Sequence, residues 1–360
     1  MPTQDVVYKK LGLRTQPFFP RCDAAGNPIA PAALRSALDP HIDAAALKIY
    51  YDVYDWSDST FIRDLSPDTA LKKFPDVGSL PAKPLILVSG GQSSGRDSLV
   101  NLINHKIKLV HGVEPFVMRS KLAINNKDSV RVLANNFKED WPAKVTPDAR
   151  KEATRGLFDA RFAANLNAEG SDEAGYFTSM FRAFYNIAHG EAPDMPIVFV
   201  VHGSESFDRW RCVYNSANEL FDYLIVQTFD DAAAKSCMRF MPTVPAVHIN
   251  ARKLRQESAL HYARTRIGLQ RLPDTVVDDL LPLTSEAIKA LYEFGDRAVE
   301  RDRPLEWPIG FLRKTLQTAI DRHIERLAGL PDNAELRDED LRITKELIAA
   351  VREELNLGYD

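Results

Sequence analysis

Short apolar runs and amphipathic segments alternate through the middle of the chain. Five apolar runs, most of them rich in Val and Ile, occur at Leu85–Val88, Phe116–Met118, Ile197–Val201, Tyr223–Val226 and Val244–Ile249. Apolar runs without polar alternation are typical of strands that are buried on both faces of a parallel sheet. Helical spacing of apolar residues occurs between the runs, over 97–105, 128–138, 147–166, 174–188, 208–220 and 231–239. The alternation predicts an α/β core in which helices sandwich a parallel five-stranded sheet.

After Ala251 the chain shows helical periodicity and no further strand pattern. Helices are predicted over 255–267, 273–281, 285–301, 309–327 and 339–355, with Asp338 as the N-cap of the last. The N-terminal segment is rich in Pro and Gly, which is typical of irregular structure. We therefore predict a leader of irregular and helical structure at 1–80, an α/β core at 81–252, an all-α domain at 253–330 and a C-terminal helix at 331–360.

Composition narrows the class of protein. The chain has 360 residues, of which 45% are hydrophobic and 27% charged, so a disordered or collagen-like chain is excluded. The net charge of −4 gives no support to nucleic-acid binding by overall charge. The three cysteines lie far apart, which disfavours a disulfide scaffold or a cysteine zinc site. Neither a membrane-length apolar run nor a secretory signal is evident, so we expect a cytoplasmic protein.

A glycine-rich turn between the first strand and the next helix is the strongest candidate for chemistry. Gly90 and Gly95 have the spacing of the two glycines in the Walker A loop, Gly-x-x-x-x-Gly-Lys-Ser/Thr. In such a turn backbone N–H groups point inward, and the following helix presents its positive end to a phosphate. The residues expected to hold the phosphates are Gly90, Gly91, Gln92, Ser93, Ser94, Gly95, Arg96, Asp97 and Ser98.

Two positions of this turn depart from the Walker A pattern. Arg96 occupies the lysine position, where it keeps the positive charge but presents a bulkier, planar group. Asp97 occupies the position of the hydroxyl that binds Mg²⁺, and Ser98 follows one residue late. Carboxylates are suitable ligands for Mg²⁺, so Asp97 and Ser98 are the candidate metal ligands. Without the metal, a carboxylate would repel a phosphate by roughly 4 kcal/mol at about 4 Å, for an effective dielectric constant of about 20.

These features together resemble the AAA+ class of P-loop ATPases, over roughly residues 8–330. The segment Leu13-Arg-Thr-Gln-Pro-Phe18 ahead of the turn is similar to the Leu-x-x-x-Pro-Phe opening of secretion- and transposition-type AAA+ proteins or related signalling ATPases. In that family the leader packs near the adenine. The resemblance implies ATP and Mg²⁺ as cofactors, a P-loop nucleotide-binding core at 81–252 and a helical lid at 253–330.

The resemblance also implies where catalytic groups lie. The family expects a second strand that ends in Asp-Glu, which orders Mg²⁺ and activates water. Here Ile197–Val201 is followed by His202-Gly-Ser-Glu205, so the pair is missing and Glu205 is the candidate base. Thr228, at the end of the next strand, resembles the sensor 1 residue that positions the attacking water. Arg313 resembles the sensor 2 arginine of the lid that reaches the γ-phosphate.

Three functions are compatible with this pattern. The first is an ATP-binding AAA+-like switch or scaffold with weak or no hydrolysis, because both Walker motifs are degenerate. The second is an unorthodox active ATPase that uses Asp97 as metal ligand and Glu205 as base. The third is a protein-interaction adaptor that no longer binds nucleotide. We expect an unidentified protein partner or a homo-oligomer; nucleic acid stays open as a partner although the charge does not favour it, and no membrane partner is expected.

Overall fold

The computed structural model describes residues 4–18, 85–91, 93–120, 127–166, 173–202, 220–228, 246–251, 254, 256–273, 278–292, 307–331, 334 and 336–356. The chain forms two compact units. The first unit comprises Met1–Asp55, Gly91–Ser98 and Ala251–Asp360. The second comprises Trp56–Gly90 and Leu99–Asn250.

A five-stranded parallel sheet forms the centre of the second unit. Its strands are β1 (Leu85–Ser89), β2 (Phe116–Ser120), β3 (Ile197–His202), β4 (Tyr223–Thr228) and β5 (Ala246–Asn250). They lie in the order β2-β3-β4-β1-β5, and every neighbouring pair is parallel. Every residue of β1 and β4 is buried, which explains why their sequences lack alternation. The parallel sheet and its connecting helices confirm the predicted α/β class.

The helices that connect the strands are α2 (Arg96–His111), α3 (Lys127–Lys144), α4 (Lys151–Leu166) and α5 (Glu173–Glu191), with a 3₁₀ turn at Asp148–Arg150. Helices α3, α4 and α5 all lie between β2 and β3 in the chain and pack on one another. Their buried face is aromatic, as in the stacked rings of Phe137 and Phe184, whose centroids are 4.6 Å apart. The Glu191 carboxylate accepts hydrogen bonds from side chains on this bundle, namely Trp141, Thr146 and Thr154.

The first unit is helical in its described residues. Its helices are α1 (Gln4–Lys10), α6 (Gln256–Gly268), α7 (Ser285–Ala290), α8 (Ile309–Ala328) and α9 (Lys345–Asn356). Helix α8 buries one apolar face, and α1 and α9 pack against it. No helix among the described residues has both the length and the apolar character needed to cross a membrane.

The leader residues 11–18 pack along the C-terminal helices. Leu13 and Arg271 form an antiparallel bridge. The ring of Phe18 is fully buried, with its centroid 5.7 Å from that of Tyr262 on α6. The Gln16 amide donates to the Asp321 carboxylate on α8 at 2.8 Å. The segment that carries the Leu-x-x-x-Pro-Phe resemblance therefore packs against both α6 and α8.

The prediction of a helix over 273–281 is wrong, because residues 278–281 form turns. The Arg271 guanidinium donates to the backbone carbonyls of Asp278 and Leu281, at 2.6 and 2.8 Å, and the Leu280 N–H donates to the Asp278 carboxylate. These long-range bonds use backbone groups that a helix would pair internally. Residues 274–277 lie outside the described part of the chain.

The two predicted helices at 285–301 and 339–355 have different ends in the structure. The first ends at Ala290, and residues 293–301 lie outside the described part. The second begins at Lys345, so Asp338 is not its N-cap. The Ile343 N–H donates to the Pro282 carbonyl at 2.8 Å, and the Thr344 hydroxyl accepts from the Leu347 N–H, as a capping side chain does. The predicted helices at 208–220 and 231–239 also lie outside the described residues, apart from Leu220.

Candidate functional site

The glycine-rich turn follows β1 and leads directly into α2. At its start, the Gly90 N–H donates to the carbonyl of Thr228, the last residue of β4, at 3.2 Å. Further along, Ser93 has a left-handed φ of 59° and Gly95 a φ of 90°. Left-handed residues in a turn direct successive N–H groups toward one side, where they form a concave site for an anion. The backbone therefore has left-handed residues of the kind that such a turn contains, while anion binding by its N–H groups stays a prediction.

Ser94 is a buried hydroxyl group within this turn. Only 3% of the residue is exposed, and its Oγ has no hydrogen-bond partner in the described part of the structure. Leaving a buried polar group unpaired costs about 1–3 kcal/mol. Helix α2 begins two residues later, and its first N–H groups have no intrahelical acceptors. A ligand with acceptor oxygens would satisfy the Ser94 hydroxyl.

Arg96 and Asp97 place opposite charges at the start of α2. The Arg96 side chain is partly buried, which lowers its pKa, while the negative charge of Asp97 raises it. Asp97 is exposed, and a carboxylate is a suitable ligand for a cation that phosphate oxygens also bind. No group of three or more His, Cys, Asp or Glu side chains that could hold a metal occurs in the residues that the structure describes. Asp97 is the only acidic residue at positions 90–98, so Mg²⁺ held there would also need phosphate oxygens as ligands.

The N-terminus of α8 lies directly on this turn. The Gly310 N–H donates to the Ser93 carbonyl at 2.9 Å. A Cβ added to Gly310 would lie 2.9 Å from the Ser93 Cβ and 3.0 Å from the Ser93 carbonyl oxygen, closer than ordinary contacts allow. The N-cap of α8 is Pro308, which forms no side-chain capping bond. The turn thus supplies an acceptor for one of the unpaired N–H groups of α8, and Gly310 permits the close approach.

Two arginines lie near the buried Tyr262 in the same unit. Burial raises the pKa of the Tyr262 hydroxyl, and the positive charges of Arg266 and Arg313 act in the opposite direction. Arg313 lies three residues after Gly310 on α8, so it is about one helical turn from the contact with Ser93. Arg266 lies on α6, one turn after Tyr262, and is 2% exposed.

The structure describes most of the predicted site residues. Gly90, Gly91 and residues 93–97 form the turn and the start of α2, while Gln92 lies outside the described part. The backbone of Ser98 is helical, but its side chain is outside that part, as is Glu205. Thr228 is buried at the end of β4 and contacts the turn through its carbonyl, at Gly90. Arg313 belongs to the helix that rests on Ser93. Their roles in catalysis and metal binding stay predictions.

Sequence reasoning missed two residues of this region. Gly310 could have been recognised from the sequence. A glycine within a helical segment lowers helix stability by about 1 kcal/mol relative to alanine, so its presence there indicates a specific packing reason. No feature of the sequence indicates that Arg266 is buried, since an arginine within an amphipathic helix is normally exposed. Its burial is visible only in the folded structure.

No protein-family model and no curated protein sequence matches the chain. Among solved structures, the chain is similar to Cdc6p from Pyrobaculum aerophilum, with 10% identity, 84% of this chain and 72% of that chain covered, and a TM-score of 0.47. It is similar to the ORC1 protein of Aeropyrum pernix in complex with DNA, with 10% identity, coverage of 82% and 67%, and a TM-score of 0.43. A chain of the HORMA:CdnC:Trip13 complex of E. coli MS115-1 has 12% identity, coverage of 80% in both chains and a TM-score of 0.31.

Proposed function

We propose that the protein binds ATP at residues 90–98 and acts as an AAA+-like nucleotide-dependent switch or scaffold that hydrolyses ATP slowly or not at all. One observation carries the proposal: the turn after β1 combines left-handed residues, a helix N-terminus and the buried, unpaired hydroxyl of Ser94. Together these features make a site for an anion with several acceptor oxygens, and a polyphosphate chain is such an anion.

Each group of the turn has a distinct role in this proposal. Backbone N–H groups of the turn and of the start of α2 bind phosphate oxygens, and the Ser94 hydroxyl donates a further hydrogen bond. The Ser94 N–H is not among them, because it donates to the Gly91 carbonyl at 3.3 Å. The positive charge of Arg96 offsets the negative charge of the phosphates. Hydrogen bonds to charged groups contribute about 1.5–3 kcal/mol each, so a few of them suffice for micromolar binding. When bound, Mg²⁺ would neutralise charge between the phosphates and the Asp97 carboxylate.

The contact between the turn and α8 provides a route from nucleotide binding to a change in conformation. Because the Ser93 carbonyl accepts directly from the Gly310 N–H, any shift of the turn that accompanies phosphate binding moves an anchor of α8. A ligand shifts such an equilibrium only by the difference in its affinity for the two conformations. Arg313, one turn along α8, would supply that difference by binding the phosphates in one conformation only.

Slow hydrolysis follows from the residues that replace the usual catalytic groups. Phosphoryl transfer to water requires an ordered Mg²⁺ and a group that positions the water. The segment after β3 is His202-Gly-Ser-Glu205, without the Asp-Glu pair that does this in the family that the chain resembles. Asp97 alone would hold the metal loosely, because it is exposed.

Calorimetric titration of ATP, with and without Mg²⁺, tests the proposal. We expect saturable binding to the wild type and about 10- to 100-fold weaker binding to Arg96→Gln, from the loss of one charged hydrogen-bonding group. The control is Arg161→Gln, a change of an exposed arginine on α4, which should bind as the wild type does. Phosphate release should stay near background.

Two results would contradict the proposal in different ways. The absence of binding and of thermal stabilisation with ATP, ADP, GTP and GDP would refute nucleotide binding and favour the adaptor hypothesis. Rapid Mg²⁺-dependent turnover that is abolished in Asp97→Ala or Glu205→Gln would show an active ATPase with unusual catalytic groups.

A further inference from the structure

Arg266 is a buried arginine whose guanidinium has few hydrogen bonds among the described residues. It lies on α6 and is 2% exposed, and its Nε and Nη1 atoms have no hydrogen-bond partner in the described part of the structure. Arginine is rarely fully buried unless a carboxylate, a phosphate or a set of carbonyls binds its N–H groups. A buried, unpaired guanidinium is strongly unfavourable, so this position indicates a group that binds there.

A second arginine acts on the same neighbour as Arg266. Among the described residues, the positive charges of Arg266 and Arg313 both lower the pKa of the Tyr262 hydroxyl, against the larger effect of burial, which raises it. Asp321, a half-buried carboxylate further along α8, accepts a hydrogen bond from Gln16, and the groups that influence its pKa are Gln16, Glu325 and Gln317. Both cations therefore act on the same hydroxyl, and two of the three guanidinium nitrogens of Arg266 have no hydrogen-bond partner in the described part of the chain.

The position of Arg313 connects these cations to the glycine-rich turn. Helix α8 contacts the turn through Gly310 and Ser93, and Arg313 follows about one turn, or about 5 Å, further along the helix. Arg313 and Arg266 both lie close enough to Tyr262 for their charges to lower the pKa of its hydroxyl. An anion that extends from the turn along α8 would thus approach both guanidinium groups.

We propose that Arg266 binds the phosphate groups of the nucleotide, together with Arg313, and so forms part of the site that begins at residues 90–98. This inference rests on the proposed nucleotide binding and adds a residue that the motif does not contain. The guanidinium suits the task because its planar set of N–H groups binds phosphate oxygens in pairs. Phosphate is favoured over the base as the bound group, because a buried positive charge is stabilised by a negative one.

The test compares Arg266→Met with Arg264→Met, a change of an arginine on the same helix whose side chain is 49% exposed and paired with Asp279. The probes are inorganic tripolyphosphate, ATP and adenosine, titrated calorimetrically without Mg²⁺. We expect Arg266→Met to weaken tripolyphosphate and ATP binding by the same factor, about 10- to 100-fold. Binding to Arg264→Met should stay within about twofold of the wild type, since an exposed ion pair contributes little.

The melting temperature of the free protein separates a binding role from a structural one. Methionine removes the buried charge and keeps much of the side-chain volume, so free Arg266→Met should melt above the wild type. Tripolyphosphate should then raise the melting temperature of this variant less than that of the wild type. Arg266→Lys, which keeps the charge, should retain part of the affinity and provides a second variant if the methionine variant does not fold.

Three results would overturn the inference. If Arg266→Met and Arg266→Lys bind tripolyphosphate as tightly as the wild type, Arg266 does not contact phosphate, while nucleotide binding at the turn still stands. If Arg266→Met loses affinity for ATP but not for tripolyphosphate, the residue contacts the base or the ribose instead. If the wild type binds neither ligand, the proposed function fails as well.

Discussion

Gly310 is the residue at which a single added methyl group should disturb the candidate site most directly. It lies in the first turn of α8, and its N–H donates to the Ser93 carbonyl at 2.9 Å. In Gly310→Ala, the new Cβ would lie 2.9 Å from the Ser93 Cβ and 3.0 Å from its carbonyl oxygen. The second of these atoms belongs to the backbone, so the turn or the helix must move.

The expected change in stability combines opposing effects. Alanine is favoured over glycine within a helix by about 1 kcal/mol. Overpacking at a close contact costs about 1–3 kcal/mol, and weakening the hydrogen bond to Ser93 costs about 0.5–1.5 kcal/mol. The net effect is a loss of about 0.5–3.5 kcal/mol in the free energy of unfolding, by the same principles. ATP affinity should fall together with stability, because Ser93 lies within the turn that is proposed to bind the phosphates.

The matched control is Gly329→Ala, at the other end of the same helix. There the nearest atoms to an added Cβ lie at 3.5 Å, and the backbone φ of −77° suits alanine. This control should be neutral or stabilised by up to about 1 kcal/mol. Urea unfolding and ATP titration of both variants provide the measurement. If Gly310→Ala is as stable as Gly329→Ala and binds ATP like the wild type, the close approach of α8 to the turn is wrong.

Two further predictions concern stability in each unit. The His323 imidazole is buried and lies near the positive charge of Arg326, which together lower its pKa to about 4, although the carbonyl of Leu341 partly opposes this shift. The unfolded chain takes up a proton at His323 near pH 6.5 and the folded chain does not, so the free energy of unfolding should fall by up to about 3 kcal/mol as the pH drops from about 6.5 to 4. Urea unfolding at several pH values should show a flatter pH dependence for His323→Gln than for the wild type. Equal slopes for the two proteins would refute this prediction. Glu191→Gln should lower the free energy of unfolding by about 1–3 kcal/mol, because one of the two acceptor oxygens that bind three side chains becomes a donor. The control Glu152→Gln changes a carboxylate that is 93% exposed and should have little effect, so equal losses would contradict the role of the Glu191 hydrogen bonds.

The α/β class was predictable because its determinants are local. All five strands were located from apolar runs, since strands such as β1 and β4 are buried along their whole length. The order of the strands was not predictable in the same way, because β1 pairs with β4 and β5, which are more than a hundred residues away in the chain. Parallel pairing has no turn between the partners that would reveal it.

The helix ends that were predicted wrongly depend on contacts between distant residues. Residues 278–281 form turns because the side chain of Arg271 binds their carbonyls. The last helix begins late because the Ile343 N–H is bound by Pro282. Neither contact has a signal in local hydrophobic periodicity or in capping propensity, so a pattern-based prediction extends both helices too far.

The candidate site likewise combines features that the local sequence reveals with features that depend on tertiary contacts. The turn at residues 90–98 was predictable, because glycine spacing and the strand and helix around it are local features. The approach of Gly310 to Ser93 and the burial of Arg266 depend on how the leader, the turn and the C-terminal helices pack in the first unit. Those contacts arise from tertiary structure alone.

Amide signals from the turn itself provide the most direct test of phosphate binding by this backbone. The only Ser-Gly pairs in the chain are Ser89–Gly90 and Ser94–Gly95, and both lie in the turn. Protein made in a cell-free system with ¹³C-carbonyl serine and ¹⁵N-glycine should therefore show two signals in a carbonyl-to-amide correlation spectrum. We predict that ATP and tripolyphosphate shift the Gly95 signal saturably, with the same dissociation constant as in calorimetry. Saturable binding of ATP that leaves both signals in place would show that the nucleotide binds elsewhere and would contradict the account.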